Sequence, residues 1–211
     1  MGTILVFNSN MLKEDAKNIV KILSKSLKKY ENHCFIGSAA LVLYDDIFDE
    51  PSDVDVIISS EYDRYKIFDD IVKGFSDYTD FSSSIVQDVN NISNVEKYIH
   101  LKNGLLLCLL KTNGTNIFPN IYRIQLFRNY KHLFEVIAVH SVTFKKLKYK
   151  VSDKIKILDP VYNILSYTVK VDFKTKPNKK MLLKLNLLRL EKFLIIFIIL
   201  ISIIKWVSSL S

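Results

Sequence analysis

Phe35-Ile36-Gly37-Ser38-Ala39-Ala40-Leu41, and then Ser52-Asp53-Val54-Asp55-Val56-Ile57-Ile58, are the stretches that decide how this chain folds. The first sets an apolar run against a Gly-Ser step, so its spacing predicts a strand, a tight turn and a short helix over Ala39–Tyr44. A Gly-Ser turn entering a helix presents backbone N–H groups and a hydroxyl with no bulky side chain in the way, which is a seat for phosphate. The second stretch alternates and is β-branched, so Asp53–Ser59 is predicted as a strand. Residues i and i+2 of a strand share a face. Asp53 and Asp55 therefore project together, while Val54 and Val56 face the other way. Two carboxylates side by side repel, more so when buried, and a divalent cation relieves the repulsion. Oxygen-only ligands suit Mg²⁺ or Mn²⁺, and Mg²⁺ is commonly completed by substrate phosphates.

Outward from this centre the pattern predicts further elements. Glu14 to Tyr30 carries Ala16, Ile19, Val20, Ile22, Leu23 and Leu27 at helical spacing, with Asn10 or Asp15 able to cap it. Asp63–Phe75 reads as a helix ended near Gly74. Ser83–Val89, His100–Lys111 and Ile121–Arg128 read as strands, and Asn129-Tyr130-Lys131 reads as a hairpin turn into a strand from Leu133 to Val142. A last strand, Lys154–Leu158, ends at Asp159-Pro160. That pair is an N-cap followed by Pro at the first helical position, opening a helix from Val161 to about Val171. A helix–strand–helix front followed by paired strands argues a small α+β (or α/β) domain.

A Gly-Ser, about a dozen residues and an Asp-x-Asp in an apolar strand resembles the motif of the DNA polymerase β-like nucleotidyltransferase superfamily. Here 14 residues separate Ser38 from Asp53. The resemblance implies a mixed β-sheet flanked by helices. It implies a nucleoside triphosphate held at Gly37 and Ser38, Mg²⁺ or Mn²⁺ held by Asp53 and Asp55, and a third carboxylate on a neighbouring strand that shares a second metal. Asp80, Asp88, Glu135 and Asp159 are candidates for the third. Asp159 is explained as a helix cap, and Asp80 and Asp88 lie in Ser- and Asn-rich stretches. Glu135 stands alone in Leu133-Phe134-Glu135-Val136-Ile137-Ala138-Val139, where a lone carboxylate is costly unless paired or metal-bound. It is the predicted third ligand, although the superfamily more often has Asp there. The competing reading is a residue facing solvent at a sheet edge.

The order of these parts over roughly residues 33–175 is similar to the core of the poly(A) polymerase catalytic subunits of poxviruses and other large DNA viruses. That resemblance implies transfer of a nucleoside monophosphate from ATP to an RNA 3′ end, a regulatory or processivity subunit as partner, and a cytoplasmic site of action in an infected cell or virion. The long N- and C-terminal regions of those polymerases have no counterpart here, and the apolar tail is not theirs. A protein hydroxyl or a small molecule stays open as acceptor. The alternative is a truncated, non-catalytic nucleotidyltransferase fold acting as a binding or membrane-tethered module.

Composition sets the outer limits. Of 211 residues, 49% are hydrophobic and 25% charged, which excludes a disordered chain, and five Gly with four Pro exclude a collagen-like one. Cys34 and Cys108 are too few for a disulfide scaffold or a four-Cys zinc site, and read as buried thiols in a reducing compartment. Residues 1–140 hold 15 Lys/Arg against 18 Asp/Glu, a net −3; residues 141–211 hold 15 against 4, a net +11. Such a basic tail suits a polyanion or a membrane surface. Within it, Lys145–Lys156 with Phe144 and Tyr149 interleaved can track an RNA backbone and stack a base, or be a solvated hairpin. Lys170, Lys174, Lys176, Lys179 and Lys180 suit triphosphate, RNA or anionic lipid. Phe193–Ile204 is an apolar run broken only by Ser202, with Arg189 and Lys192 on one flank and Trp206 on the other, and residues 193–207 read as a membrane anchor or a buried terminal helix. The expected division is 1–32 as an N-terminal strand and helix, 33–160 as the catalytic core, 161–192 as a basic helical segment and 193–211 as the tail. Met1–Val6 lacks the basic start of a signal peptide. There is no P-loop, no Gly-x-Ser-x-Gly elbow and no Cys–His nucleophile spacing, and His33, His100, His132 and His140 read as structural.

Overall fold

A computed structural model of the chain describes residues 11–45, 51–112, 121–145, 147–152 and 154–159. In chain order the elements are α1 (Lys13–Ser26), β1 (His33–Ile36), α2 (Gly37–Asp45), β2 (Val54–Ser59), α3 (Arg64–Phe75), β3 (Val95–His100), β4 (Leu106–Lys111), β5 (Tyr122–Arg128), β6 (Lys131–Val139), the five-residue α4 (Ser141–Lys145), β7 (Tyr149–Ser152) and β8 (Ile155–Leu158). The strands form one eight-stranded sheet in the order β3-β4-β5-β6-β2-β1-β8-β7. It is mixed: β2 runs parallel to β6 and β1 parallel to β8, and every other neighbouring pair is antiparallel. This is the α+β class expected.

Alternation along the strands sorts the side chains between two faces. Val54, Val56, Ile58, Phe134, Val136, Ala138, Ile124 and Leu126 belong to one continuous core with Ile19, Leu23, Ile67, Phe68, Ile71 and Phe75. These last residues recur at helical spacing on α1 and α3, so the two amphipathic helices close this face. Gly74 does not end α3. It lies inside the helix, where a Cβ would come 2.2 Å from Ser26 Oγ, so it lets α3 approach α1. Asp63 caps α3, accepting from Tyr65 N and Lys66 N. α1 begins after Leu12 with no side-chain cap, so Asp15 does not cap it. Asn10 lies outside the described residues.

Three predicted strands are corrected. Ser83–Val89 is irregular chain leading into a 3-10 turn at Val89–Asn91, with Asp88 accepting from Asn90 N. His100–Lys111 is not one strand: His100 ends β3, Gly104 at φ +77° turns the chain, and only Leu106–Lys111 forms β4. The strand expected over Leu133–Val142 starts earlier and ends at Val139, where α4 follows. The predicted turn at its start is present, with Asn129 and Tyr130 at φ 50° and 62°, the conformation a two-residue hairpin loop needs. Among the described residues no helix is long and apolar enough to cross a membrane. Residues 1–10 of the expected N-terminal segment, the helix expected from Val161, the basic segment 161–192 and the apolar tail 193–211 lie outside the described residues.

Candidate active site

The second face of the sheet is built differently. β2 and β6 are in register with Asp55 opposite Glu135. On β1, Ile36 lies opposite Asp55, and on β5, Gln125 lies opposite Glu135. One row of side chains thus crosses four strands on one face: Ile36, Asp55, Glu135, Gln125. Apolar clusters flank it. On one side α4 brings Phe144 onto Cys34 and Ile57, and on the other Val89, Ile92, Val95 and Phe127 cover Leu106, Cys108 and Leu110. Burial pushes the Cys34 and Cys108 thiols up to about 12, so both are the inert thiols expected. Cys34 lies opposite Ile57, one place off the row, and Cys108 continues the row beyond Gln125.

β6 lies in the interior of the sheet, so Glu135 is not an edge residue facing solvent. Its side chain is only 12% exposed, and its Oε1 accepts from Gln125 Nε2 at 2.7 Å and from Arg123 Nη1 at 3.3 Å. A strand carboxylate in such a place needs these partners or a cation. Arg123 and Gln125 are two apart on β5 and so share this face.

Asp53 stands one step before β2. Its Oδ1 accepts from the Ser52 hydroxyl at 2.6 Å, and His132 Nδ1 lies 3.2 Å from its Oδ2. His132 begins β6, and its Nε2 is buried with no hydrogen-bond partner. Beside it opens a cavity of about 220 Å³ whose lining includes Ser52, Arg128, Lys131 and His132. Burial, helped by the Arg128 charge, holds the Lys131 ammonium below the usual lysine range. Arg128 is partly offset by Asp15, 3.8 Å away.

Gly37 and Ser38 join this end of the sheet through β1. Gly37 has φ +75°, and a Cβ there would lie 2.7 Å from Asp55 Oδ2. Glycine is required twice, by the backbone and by the carboxylate laid against it. Ser38 is buried, and its Oγ accepts from Ser52 N at 3.3 Å, tying the start of α2 to the entry of β2. A phosphate at this turn would therefore meet backbone N–H groups rather than a presented hydroxyl. Asp159 follows β8, whose parallel pairing with β1 brings it to the same sheet end, its N–H donating to Lys148 O. Pro160 lies outside the described residues.

All five residues singled out from the sequence thus converge: Gly37, Ser38, Asp53, Asp55 and Glu135. Ser52, Arg123 and Gln125 share their hydrogen bonds and were not singled out, and His132, read as structural, is bonded to Asp53. The one local signal for them is Gln125, a polar residue mid-strand between Ile124 and Leu126. Among the described residues no group of three or more His, Cys, Asp or Glu is arranged to hold a metal ion. The donors fit a hard cation in part. Asp53 and Asp55, two residues apart, offer carboxylate oxygens, the ligand type that Mg²⁺ or Mn²⁺ takes. Glu135, next in register, is engaged with β5. A scan against protein-family models finds no match to this chain, and a search of curated proteins finds none either.

Proposed function

We propose that the chain is a metal-dependent nucleotidyltransferase, moving a nucleoside monophosphate from a nucleoside triphosphate, ATP by preference, to an acceptor hydroxyl, an RNA 3′ end first among them. The observation that carries this reading is the register of β2 against β6. It sets Asp55 beside Glu135, 80 residues apart in the chain, with Gly37 packed on Asp55 and Asp53 two residues before it in the chain. A sheet built for stability alone gains nothing from carboxylates aligned on neighbouring central strands, because like charges opposite each other destabilise.

In this reading Asp53 and Asp55 hold Mg²⁺ or Mn²⁺, which when bound neutralises the triphosphate and the departing pyrophosphate. The turn at Gly37 receives the terminal phosphates on its N–H groups. Ser38 holds that turn against Ser52, and Ser52 orients Asp53. His132 fixes the other oxygen of Asp53, and Gln125 and Arg123 hold Glu135 where its charge adds to the pair.

A second reading has an observation of its own. Asp53 is bonded to Ser52 and His132, and Glu135 to Gln125 and Arg123, as carboxylates are when protein groups compensate them without a cation. The non-catalytic reading is a binding module of the same fold.

The two part in one experiment. The full-length chain is incubated with Mg²⁺ or Mn²⁺, labelled ATP and an RNA oligonucleotide, beside the Asp53→Ala/Asp55→Ala variant. A ladder of labelled RNA that vanishes in the variant supports the enzyme. Metal-dependent ATP binding without labelled RNA redirects the search to another acceptor. Neither transfer nor nucleotide binding leaves the binding module.

A further inference from the structure

The row through the carboxylates continues to the sheet edge. Beyond Ile36 it reaches Leu158 of β8, which packs in the same cluster, and then Tyr149 of β7, the register partner of Leu158. Tyr149 stands three strand spacings from Asp55, about 14 Å. It is 46% exposed, and Val151, two residues on and so on the same face, is 64% exposed. Lys156, the register partner of Val151, lies with its Nζ 5.3 Å from the Tyr149 ring centroid and donates to Glu31 O, which braces the ring. Phe144 is not part of this surface, because α4 buries it against Cys34 and Ile57.

Two observations set this edge apart. Edge strands are ordinarily blunted with charge, and here Lys148 and Lys150 are exposed, yet Tyr149 between them and Val151 after them are exposed as well. Residues 145–156 also carry six Lys against a single Asp, next to a front of the chain that is net acidic. The opposite edge has an exposed tyrosine too, Tyr98, in line with Cys108 and Gln125. Its surroundings are charge-balanced, Lys97 with Asp69 and Arg64 with Glu96, and an apolar cover separates it from Glu135.

We propose that the β7–β8 hairpin is the seat of a single-stranded RNA acceptor, with a base stacked on Tyr149 and the adjoining phosphates carried over the sheet edge to Lys148 and Lys150, which alternate with it onto the other face. This rests on the nucleotidyltransferase reading for the purpose it assigns the RNA, not for the surface itself. Aromatic stacking with flanking cations is the chemistry of single-strand binding, and it tolerates any base.

The test is fluorescence anisotropy of a fluorescein-labelled single-stranded RNA 12-mer with the full-length chain. Tyr149→Ala is expected to weaken binding about tenfold, as the loss of one stacked base does. Tyr149→Phe keeps the ring and should keep the affinity. Lys150→Gln should lower the slope of affinity against salt by about one. Unchanged affinity in Tyr149→Ala, or no RNA binding by the unaltered chain, overturns the proposal and leaves the edge to a protein strand. Metal-dependent ATP binding, measured on the same samples, separates the two readings. Tyr149-dependent RNA binding without it removes the nucleotidyltransferase and keeps the surface, and ATP binding with Tyr149-independent RNA binding does the reverse.

Discussion

The two faces of the sheet are made by the same strands and solve opposite problems. On the helical face Val54, Val56, Phe134 and Val136 are fully buried beneath α1 and α3. One residue along each strand, Asp55 and Glu135 stand opposite each other on the second face, with Gln125 beyond. The first face lowers the free energy of folding by removing apolar surface from water. The second lines up groups that repel or must be compensated. The difference teaches where to look for function: at the row where alternation continues and the apolar residue does not.

The sharpest way to break the comparison is to exchange the two kinds of loss. Phe134→Ala opens a cavity in the helical face and should cost about 3–5 kcal/mol of stability. Its neighbour in sequence, Glu135, is not touched by that change. Asp55→Asn, on the other face, should leave the urea midpoint nearly where it was, within the ~0.5 kcal/mol of a change away from the core. It should lower nucleotide transfer by about a thousandfold, some 4 kcal/mol of transition-state stabilisation. If Asp55→Asn instead unfolds the chain and transfer per folded molecule persists, the second face is structural after all.

A smaller effect joins the faces at one atom. Gly37→Ala places a Cβ 2.7 Å from Asp55 Oδ2 at a backbone φ of +75°. The strained conformation alone costs about 1–3 kcal/mol. The carboxylate must also move. Gly37→Ala should therefore lower the melting temperature and weaken metal-dependent ATP binding together. Loss of stability with unchanged ATP affinity would show that Asp55 can shift without consequence for the nucleotide.

How much of this could be read beforehand follows from which signals are local. Asp-x-Asp in a β-branched run is a local pattern, and β2 with its two-sided burial follows from it. Glu135 was legible because it interrupts an apolar run. The hairpin at Asn129-Tyr130 was legible as a turn. The break between β3 and β4 was also local, since Asn103-Gly104 is a strong turn pair. It was overlooked because apolar residues continue on both sides and the segment read as one strand. Ser83–Val89 had the composition of a strand but no partner in the sheet. The partners of the carboxylates were out of reach for another reason. His132 meets Asp53 and Gln125 meets Glu135 only through the order β5-β6-β2, and pairing between distant strands leaves no mark in either strand alone. Nothing in the sequence stated that Ser38 would turn its hydroxyl to Ser52.

The smallest expected effect sharpens the helical side. Between α1 and α3, Asp70 Oδ2 accepts from Tyr30 OH and lies 2.6 Å from Lys29 Nζ. Burial works upward on the Asp70 carboxyl, but the bonds from Lys29 and Tyr30 and the charges of Lys29 and Lys73 outweigh it, so it lies below the usual carboxylate range. A carboxyl depressed in the folded state adds stability that is complete above its unfolded value, about 4, and is lost as pH falls through the folded one. Lys29 is 60% exposed, so solvent screens the pair and the contribution is under about 1 kcal/mol. Melting temperature followed from pH 5 down to about pH 2 should therefore fall more steeply below about pH 4 in the unaltered chain than in Asp70→Asn. Parallel curves would mean that the α1–α3 seam owes its stability to the apolar contacts of Ile19, Leu23, Ile71 and Phe75 alone. The charges of the helical face would then be incidental to its stability.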